Sequence, residues 1–148
     1  MVATRIDGVG HAAQARPVSS LAASAVSTTT AGTIAGTTAA GAAPTVAIPS
    51  GFVCNDRAGT FELTAVTGGG AQAAGDVATV RFANEYAATP SAVLVQLYDI
   101  TANPDAVRAC AATAVTTQGF NINVAAALTT ATVYRVSYHV IPGGSNAL

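Results

Sequence analysis

Beyond Pro44, apolar and polar residues alternate with period two in a series of short runs, each bounded by Gly, Pro, Asn or Asp. In Thr60 to Thr67, Phe61, Leu63 and Ala65 fall on one face and Glu62 and Thr64 on the other. Val77 to Ala83 repeats the pattern, with Ala78, Val80 and Phe82 opposing Thr79 and Arg81. Ser91 to Asp99 sets Val93, Val95 and Leu97 inward and Gln96 and Tyr98 outward. Gly119 to Ala125 opposes Phe120, Ile122 and Val124 to Asn121 and Asn123. Ala131 to Ile141, the longest run, alternates Arg135, Ser137 and His139 with Tyr134, Val136, Tyr138 and Val140. Such alternation is the mark of a half-buried strand. Pro44 to Pro49 and Val107 to Val115 are weaker candidates. Gly68-Gly69-Gly70 with Gly75-Asp76, Asn84 to Pro90, Asn103-Pro104-Asp105 and Pro142-Gly143-Gly144 supply the turns. Strands spaced by about ten residues predict an all-β fold, a β-sandwich or jelly-roll-like antiparallel domain.

The chain before Pro44 has a different texture. Residues 1 to 16 hold two Arg, one Asp and His11, with Gly8 and Gly10 opposing a regular helix. Leu21 to Val26 is compatible with one or two helical turns, the Thr triplet at 28 to 30 favours extended backbone, and Thr33-Ile34 and Thr37-Thr38 follow among Gly32, Gly36 and Gly41. No residue from Pro17 through Asn55 is charged. A solvated tail ordinarily stays soluble through charge, and a membrane span needs about 18 predominantly apolar residues, which the interspersed Ser, Thr and Gly prevent. The pattern predicts an extended, low-complexity N-terminal arm over residues 1–50 that orders against something else, for attachment or oligomerisation. A β-sandwich domain over residues 51–148 follows it.

Composition narrows the picture. The 148 residues leave room for one core, and much of the 51% hydrophobic content is Ala, which buries little area. The expected core formers are Phe52, Phe61, Leu63, Val80, Phe82, Val93, Val95, Leu97, Phe120, Ile122, Val124, Val133, Val136, Tyr138 and Val140. Only 9% of residues are charged, the net charge is −1, and every cation is an Arg (Arg5, Arg16, Arg57, Arg81, Arg108, Arg135). No basic cluster offers a footprint for nucleic acid or for an acidic membrane surface. Cys54 and Cys110 permit one disulfide or two free thiols. Neither has a partner at C-x-x-C spacing, and the favoured reading is a pair of small buried hydrophobes. Residues 17 to 43 lack the compact apolar core of a secretory signal, so the expectation is a chain made in the cytoplasm from its own Met1.

Candidate chemistry is sparse. A nucleophilic triad needs a His beside Ser or Cys with an acid to orient it. His11 lies in a Gly-bounded terminal segment and His139 on the polar face of the last strand, where a solvated side chain is the ordinary role. Asp99 and Asp105 flank a turn with Asn103, but the calcium-loop spacing with its closing Glu is absent and a plain turn uses these residues. Gly68-Gly69-Gly70 lacks the Lys-Ser/Thr that would grip phosphate. Glu62 and Glu85 are the Glu available for paired-carboxylate chemistry, and nothing in their spacing supports it. Tyr86 and Tyr98 are candidates for a sugar-stacking face, with core packing or interface burial the ordinary use. The expectation is therefore no catalytic, cofactor-binding or metal-binding residue, no cofactor, and no enzyme.

From Asp76 to Pro142 the chain resembles a β-domain that recurs in virion proteins of tailed bacteriophages. The resemblance rests on Phe82-Ala83, Tyr86, Pro90, Val93 to Val95, Thr116-Thr117, Gly119-Phe120 and Tyr138-His139-Val140. It covers somewhat under half the chain, consists of core and turn residues, and carries no site residues across. The resemblance implies a capsid decoration, head-fibre or tail-fibre-tip protein. The chain has no heptad or β-helical shaft, while an arm of about 50 residues at about 3.3 Å each reaches over 100 Å. The expected function is thus a virion structural protein decorating the capsid surface through its arm. Its expected partners are the major capsid protein or neighbouring virion proteins, and a homotrimer follows from the resemblance. The alternative is a tail-fibre or tail-tip module binding host-surface glycan.

Overall fold

Strand-forming runs rich in Val, Thr, Ile and aromatic residues fold where alternation places them. In a computed structural model, which describes residues 32–66, 72–101 and 106–144, nine strands form two antiparallel sheets packed face to face. They are β1 (Thr33–Gly36), β2 (Thr45–Ala47), β3 (Ala58–Thr64), β4 (Gly75–Arg81), β5 (Ala92–Asp99), β6 (Val107–Arg108), β7 (Cys110–Thr116), β8 (Gly119–Val124) and β9 (Val133–Ile141). One sheet has the order β1-β4-β8-β7 and the other β2-β3-β9-β5-β6. The all-β sandwich expected from the alternation is the fold.

The inward parity of each strand supplies the core. Phe61 and Leu63 from β3, Val77, Ala78 and Val80 from β4, and Leu97 from β5 are fully buried. Phe120, Ile122 and Val124 from β8 meet Tyr134, Val136 and Val140 from β9 across the interior. Burying a side chain of this size contributes about 1.5–3 kcal/mol, so some ten such residues dominate the favourable side of folding. Register follows the pattern read from sequence: Phe61 stands opposite Val136, and Leu97 faces Val136 from the other side.

Three features depart from the sequence reading. The first concerns the arm. Residues 33–36 pair with β4 and residues 45–47 with β3, so the sandwich begins by residue 33 and its first two strands edge both sheets on one side. A short 3-10 turn, Thr38–Ala40, joins them and buries Ala40. The uncharged run is thus divided, its later half built into the domain and residues 1–31 lying outside the described residues, as do the helical turns expected at 21–26.

The second is the weak strand at Val107 to Val115. It is one extended segment that changes sheets at Ala109: Val107 and Arg108 pair with β5, and Cys110 onward with β8. A bulge between Thr113 and Thr116, with Ala114 at φ 47°, bends its far end.

The third is the core membership of four residues. Phe52 is 39% exposed, because it belongs to the β2–β3 connection and lies on the outside of the five-stranded sheet under the Arg135 guanidinium, 5.0 Å from the ring centroid. Val133 is half-buried at outward parity opposite Thr64, and its neighbour Tyr134 fills the interior instead. A bulge between Asp76 and Ala78 buries Val77 beside Ala78, which strict alternation does not anticipate. Leu128, from the β8–β9 connection, also enters the core.

Candidate functional site

Three polar constellations emerge from the strands, one on each outer face and one at an end of the sandwich. On the four-stranded sheet, β4 presents Asp76 and Thr79 beside Asn121 and Asn123 of β8 and Thr113 of β7. The Asp76 carboxylate accepts three bonds: from Thr113 Oγ1 at 3.0 Å, Asn121 Nδ2 at 2.8 Å and Asn123 Nδ2 at 2.8 Å. Thr79 donates to Asn121 Oδ1 at 3.0 Å and fixes that amide, and the Thr37 hydroxyl donates to the Asp76 carbonyl. The amides of Asn123 and Asn121, then the Thr113 hydroxyl, hold the carboxyl below its ordinary range against a small opposing effect of burial. With its oxygens occupied by donors, this carboxylate is built to organise a sheet face, and no sequence argument singled it out. Its signal was the polar parity of Asn121 and Asn123 on β8 opposite the Gly75-Asp76 corner.

At the end of the sandwich, Asp56 ties the two sheets together. Its carboxylate accepts the backbone N–H groups of Ala83 at 2.7 Å and Asn84 at 3.0 Å, just beyond β4, while its carbonyl accepts the Tyr86 hydroxyl at 2.8 Å. Asn55 folds its side-chain oxygen onto the N–H groups of Arg57 and Ala58, each at 2.9 Å, which makes the tight turn into β3. Tyr86 packs edge-on against Phe82 at 4.9 Å, and Phe120 against Tyr138 at 5.5 Å. Cys54 is buried here and donates to the Thr60 carbonyl at 3.3 Å. Burial raises the Cys54 thiol and the Tyr86 and Tyr138 phenols, and for Tyr138 the neighbouring Cys54 adds to the effect. Cys110, half-buried on β7, is a second free thiol, raised by burial as well.

The outer face of the five-stranded sheet is organised in cross-strand rows. Glu62, Arg135 and Tyr98 form one row and Thr60, Ser137 and Gln96 the next, with Ala58, His139 and Leu94 beyond it. Arg135 bonds Glu62 at 2.7 Å, an ion pair that holds its charge further toward the protonated form. The Thr60 and Ser137 hydroxyls share a hydrogen bond of 3.0 Å. Between the last two rows the surface holds an open trough of about 230 Å³ lined by Leu94, Val95, Gln96, Ser137, Tyr138 and His139.

The residues weighed for chemistry disperse over these places. His139 lies exposed at the trough, beside a Ser137 hydroxyl already engaged with Thr60. Glu62 is bound to Arg135, and Glu85 accepts the Thr117 hydroxyl at 2.6 Å in the loop after β4. Asp99 is buried and accepts the Thr101 N–H at 2.8 Å, a turn-closing role. Tyr86 is committed to the sandwich end, whereas Tyr98 stands half-buried on the outer face beside Arg135. His11, Gly68-Gly69-Gly70, Asn103 and Asp105 lie outside the described residues. Among the described residues no three His, Cys, Asp or Glu side chains gather as a metal site, and no helix is long and apolar enough to cross a membrane. No protein-family model, curated protein or solved structure matches the chain.

Proposed function

We propose that this protein is a structural component of a bacteriophage virion, a capsid decoration protein attached through its N-terminal segment, with the sandwich projecting from the particle. The observation that carries the reading is the division of the uncharged run. Its later half supplies β1 and β2, edge strands of both sheets, so the 31 residues before Gly32 leave from a strand rooted in the domain. Among them, residues 17–31 are uncharged and rich in Ala, Thr, Ser and Val, and such a stretch binds through backbone hydrogen bonds and small apolar contacts, which suits a repetitive protein surface and needs no charge pairing. Rooting it in an edge strand makes anything that holds the segment also hold the sandwich.

The test is reconstitution. Particles lacking the protein, incubated with the full-length chain, should take it up to a fixed copy number per capsid and carry it through sedimentation. A chain without residues 2–31 should remain in the supernatant. Absence of the protein from purified virions by mass spectrometry, or equal uptake without the segment, would overturn the reading. Saturable binding of the full-length chain to host-surface polysaccharide without particle association would instead support the tail-module alternative.

A further inference from the structure

One side of the sandwich is closed by a strap, residues 32–47, that adds an edge strand to each sheet but little to the core. In it, β1 pairs with β4 from Thr33 opposite Arg81 to Gly36 opposite Ala78, and β2 pairs with β3 from Thr45 opposite Thr64 to Ala47 opposite Glu62. Ala40 is buried between them, and Ile34, Ala39 and Val46 are partly buried against the core. Among the described residues, the largest fully buried side chains all come from Phe61 onward. Lifting the strap therefore costs edge hydrogen bonds and small side chains, while the large interior side chains stay in place.

The seat of the strap is selective. A Cβ on Gly41 would overlap the Val66 carbonyl oxygen, and one on Gly32 would lie 2.6 Å from that of Phe82. Thr37 donates its N–H to the Val77 carbonyl at 3.0 Å and its hydroxyl to the Asp76 carbonyl. The same segment of a second copy meets all of these demands by identity.

The strap is joined to β3 through a surface hinge. No residue from Ile48 to Val53 is buried. Their turn is closed by the Phe52 N–H, which donates to the Pro49 carbonyl at 3.0 Å, and it holds Gly51 at φ 88°. Past the hinge the chain is anchored: Cys54 is buried and bridged to Gly59, and Asp56 is bonded to the chain beyond β4. Straightened, the six hinge residues span about 20 Å, enough to pass the strap to a copy alongside while Cys54 keeps its place.

We propose that residues 32–47 exchange between two copies of this chain, each strap lying in the other copy's seat on β4 and β3, with the straightened hinges crossing between them. Every bond of the strap is remade in the second copy, so the exchanged dimer differs from two monomers only at its hinges and where these meet. Tethering favours each chain's own strap in dilute solution, because a short linker holds it at an effective concentration in the millimolar range. Exchange sets in as the protein itself reaches that range. The inference goes beyond the virion reading and does not rest on it, since exchange belongs to the purified protein without any particle.

The experiment unfolds and refolds the full-length protein at about 10 μM and at about 1 mM, below and within the range of the tether, and sizes the products by light scattering. The lower concentration should return monomer and the higher should trap a dimer. In a dimer assembled from isotope-labelled and unlabelled chains, filtered nuclear Overhauser effects should connect Ile34 of one copy to Val80 of the other, the pair that stands in register between β1 and β4. Gly51→Ala should raise the dimerisation constant by about tenfold, because a side chain at positive φ disfavours the turn at both hinges. An added Cβ there meets nothing within 4 Å, so the variant should fold as the parent does. Monomer alone at the higher concentration in both proteins, a dimer whose Ile34–Val80 contacts stay within one copy, or a Gly51→Ala constant no higher than the parent's would each overturn the proposal.

Discussion

Tyr138 in β9 donates its hydroxyl hydrogen to the backbone carbonyl of Asn55 at 2.6 Å, joining the middle of the five-stranded sheet to the turn that precedes β3. The same turn holds Asp56, whose carboxylate caps the chain leaving β4. One phenol therefore steadies the end at which the two sheets are tied.

Replacing Tyr138 by Phe should keep the ring packed on Phe120 and lose only the hydrogen bond. The expected cost is about 1 kcal/mol in urea unfolding, with an unchanged slope. A loss below the error of the measurement would show that the bond contributes nothing net.

Alkaline pH should destabilise the parent. Burial raises Tyr138, Tyr86, Cys54 and Cys110 in the folded state, so the unfolded chain releases these protons first. Stability is full below the ordinary thiol value of about 8.5 and falls as pH rises through the thiol and then the phenol range near 10. Denaturation midpoints between pH 7 and 11 measure it, and Tyr138→Phe should fall less steeply above pH 10.

Acid should act through Asp76. Its carboxyl is held low by Asn123, Asn121 and Thr113, so its contribution is complete above about pH 4 and is lost as pH falls through its folded value. Asp76→Ala should cost about 1 kcal/mol at pH 7, reduced from the buried-charge range by solvent access. That variant should also have a shallower decline in stability between pH 5 and 2.

Gly59 leaves no room for a side chain. A Cβ there would sit 2.7 Å from the Cys54 sulfur and 2.7 Å from the Tyr138 ring. Gly59→Ala should destabilise by about 1–3 kcal/mol through overpacking, read as a thermal midpoint lower by about 4 °C or more.

Phe52 offers the contrast. Partly exposed and stacked under Arg135, it should cost less on replacement by Ala, about 0.5–1 kcal/mol for the cation–ring contact plus a share of its partial burial, than the roughly 3–5 kcal/mol of a buried Phe such as Phe61. Paired unfolding curves of the two variants make the comparison.

Alternation made the sheets legible before any coordinates, because period two in β3, β5, β8 and β9 ties sequence directly to burial. Val77 escaped that logic because a bulge adds a residue that alternation does not count. Val133 obeys it, sharing the outward parity of Arg135, Ser137 and His139, and was expected in the core on its hydrophobicity alone. Phe52 escaped because hydrophobicity alone does not say which side of a sheet a loop residue will lie on. The Asp76 face was harder still, since its five residues come from β4 and from the β7–β8 hairpin, 37 to 47 residues beyond Asp76, and acquire meaning only in register. The strand at Thr45 falls within the weaker candidate Pro44 to Pro49, whereas the one at Thr33 was hidden by the composition around it, where Gly and Ala dilute the apolar signal and edge pairing supplies what propensity lacks.

The position of β1 has a mechanical consequence. A force applied to the chain before Gly32 enters the molecule through four registered residues paired with β4 on one side only, whereas a force at Gly143 enters through β9, clasped on both sides by β3 and β5. Pulled along its axis, β1 shares the load across all its hydrogen bonds at once; pulled sideways, it opens like a zip, one bond after another. A domain tethered from its front would thus yield first at that edge strand, freeing its 4 residues, about 13 Å of chain, while the rest of the sandwich stays folded.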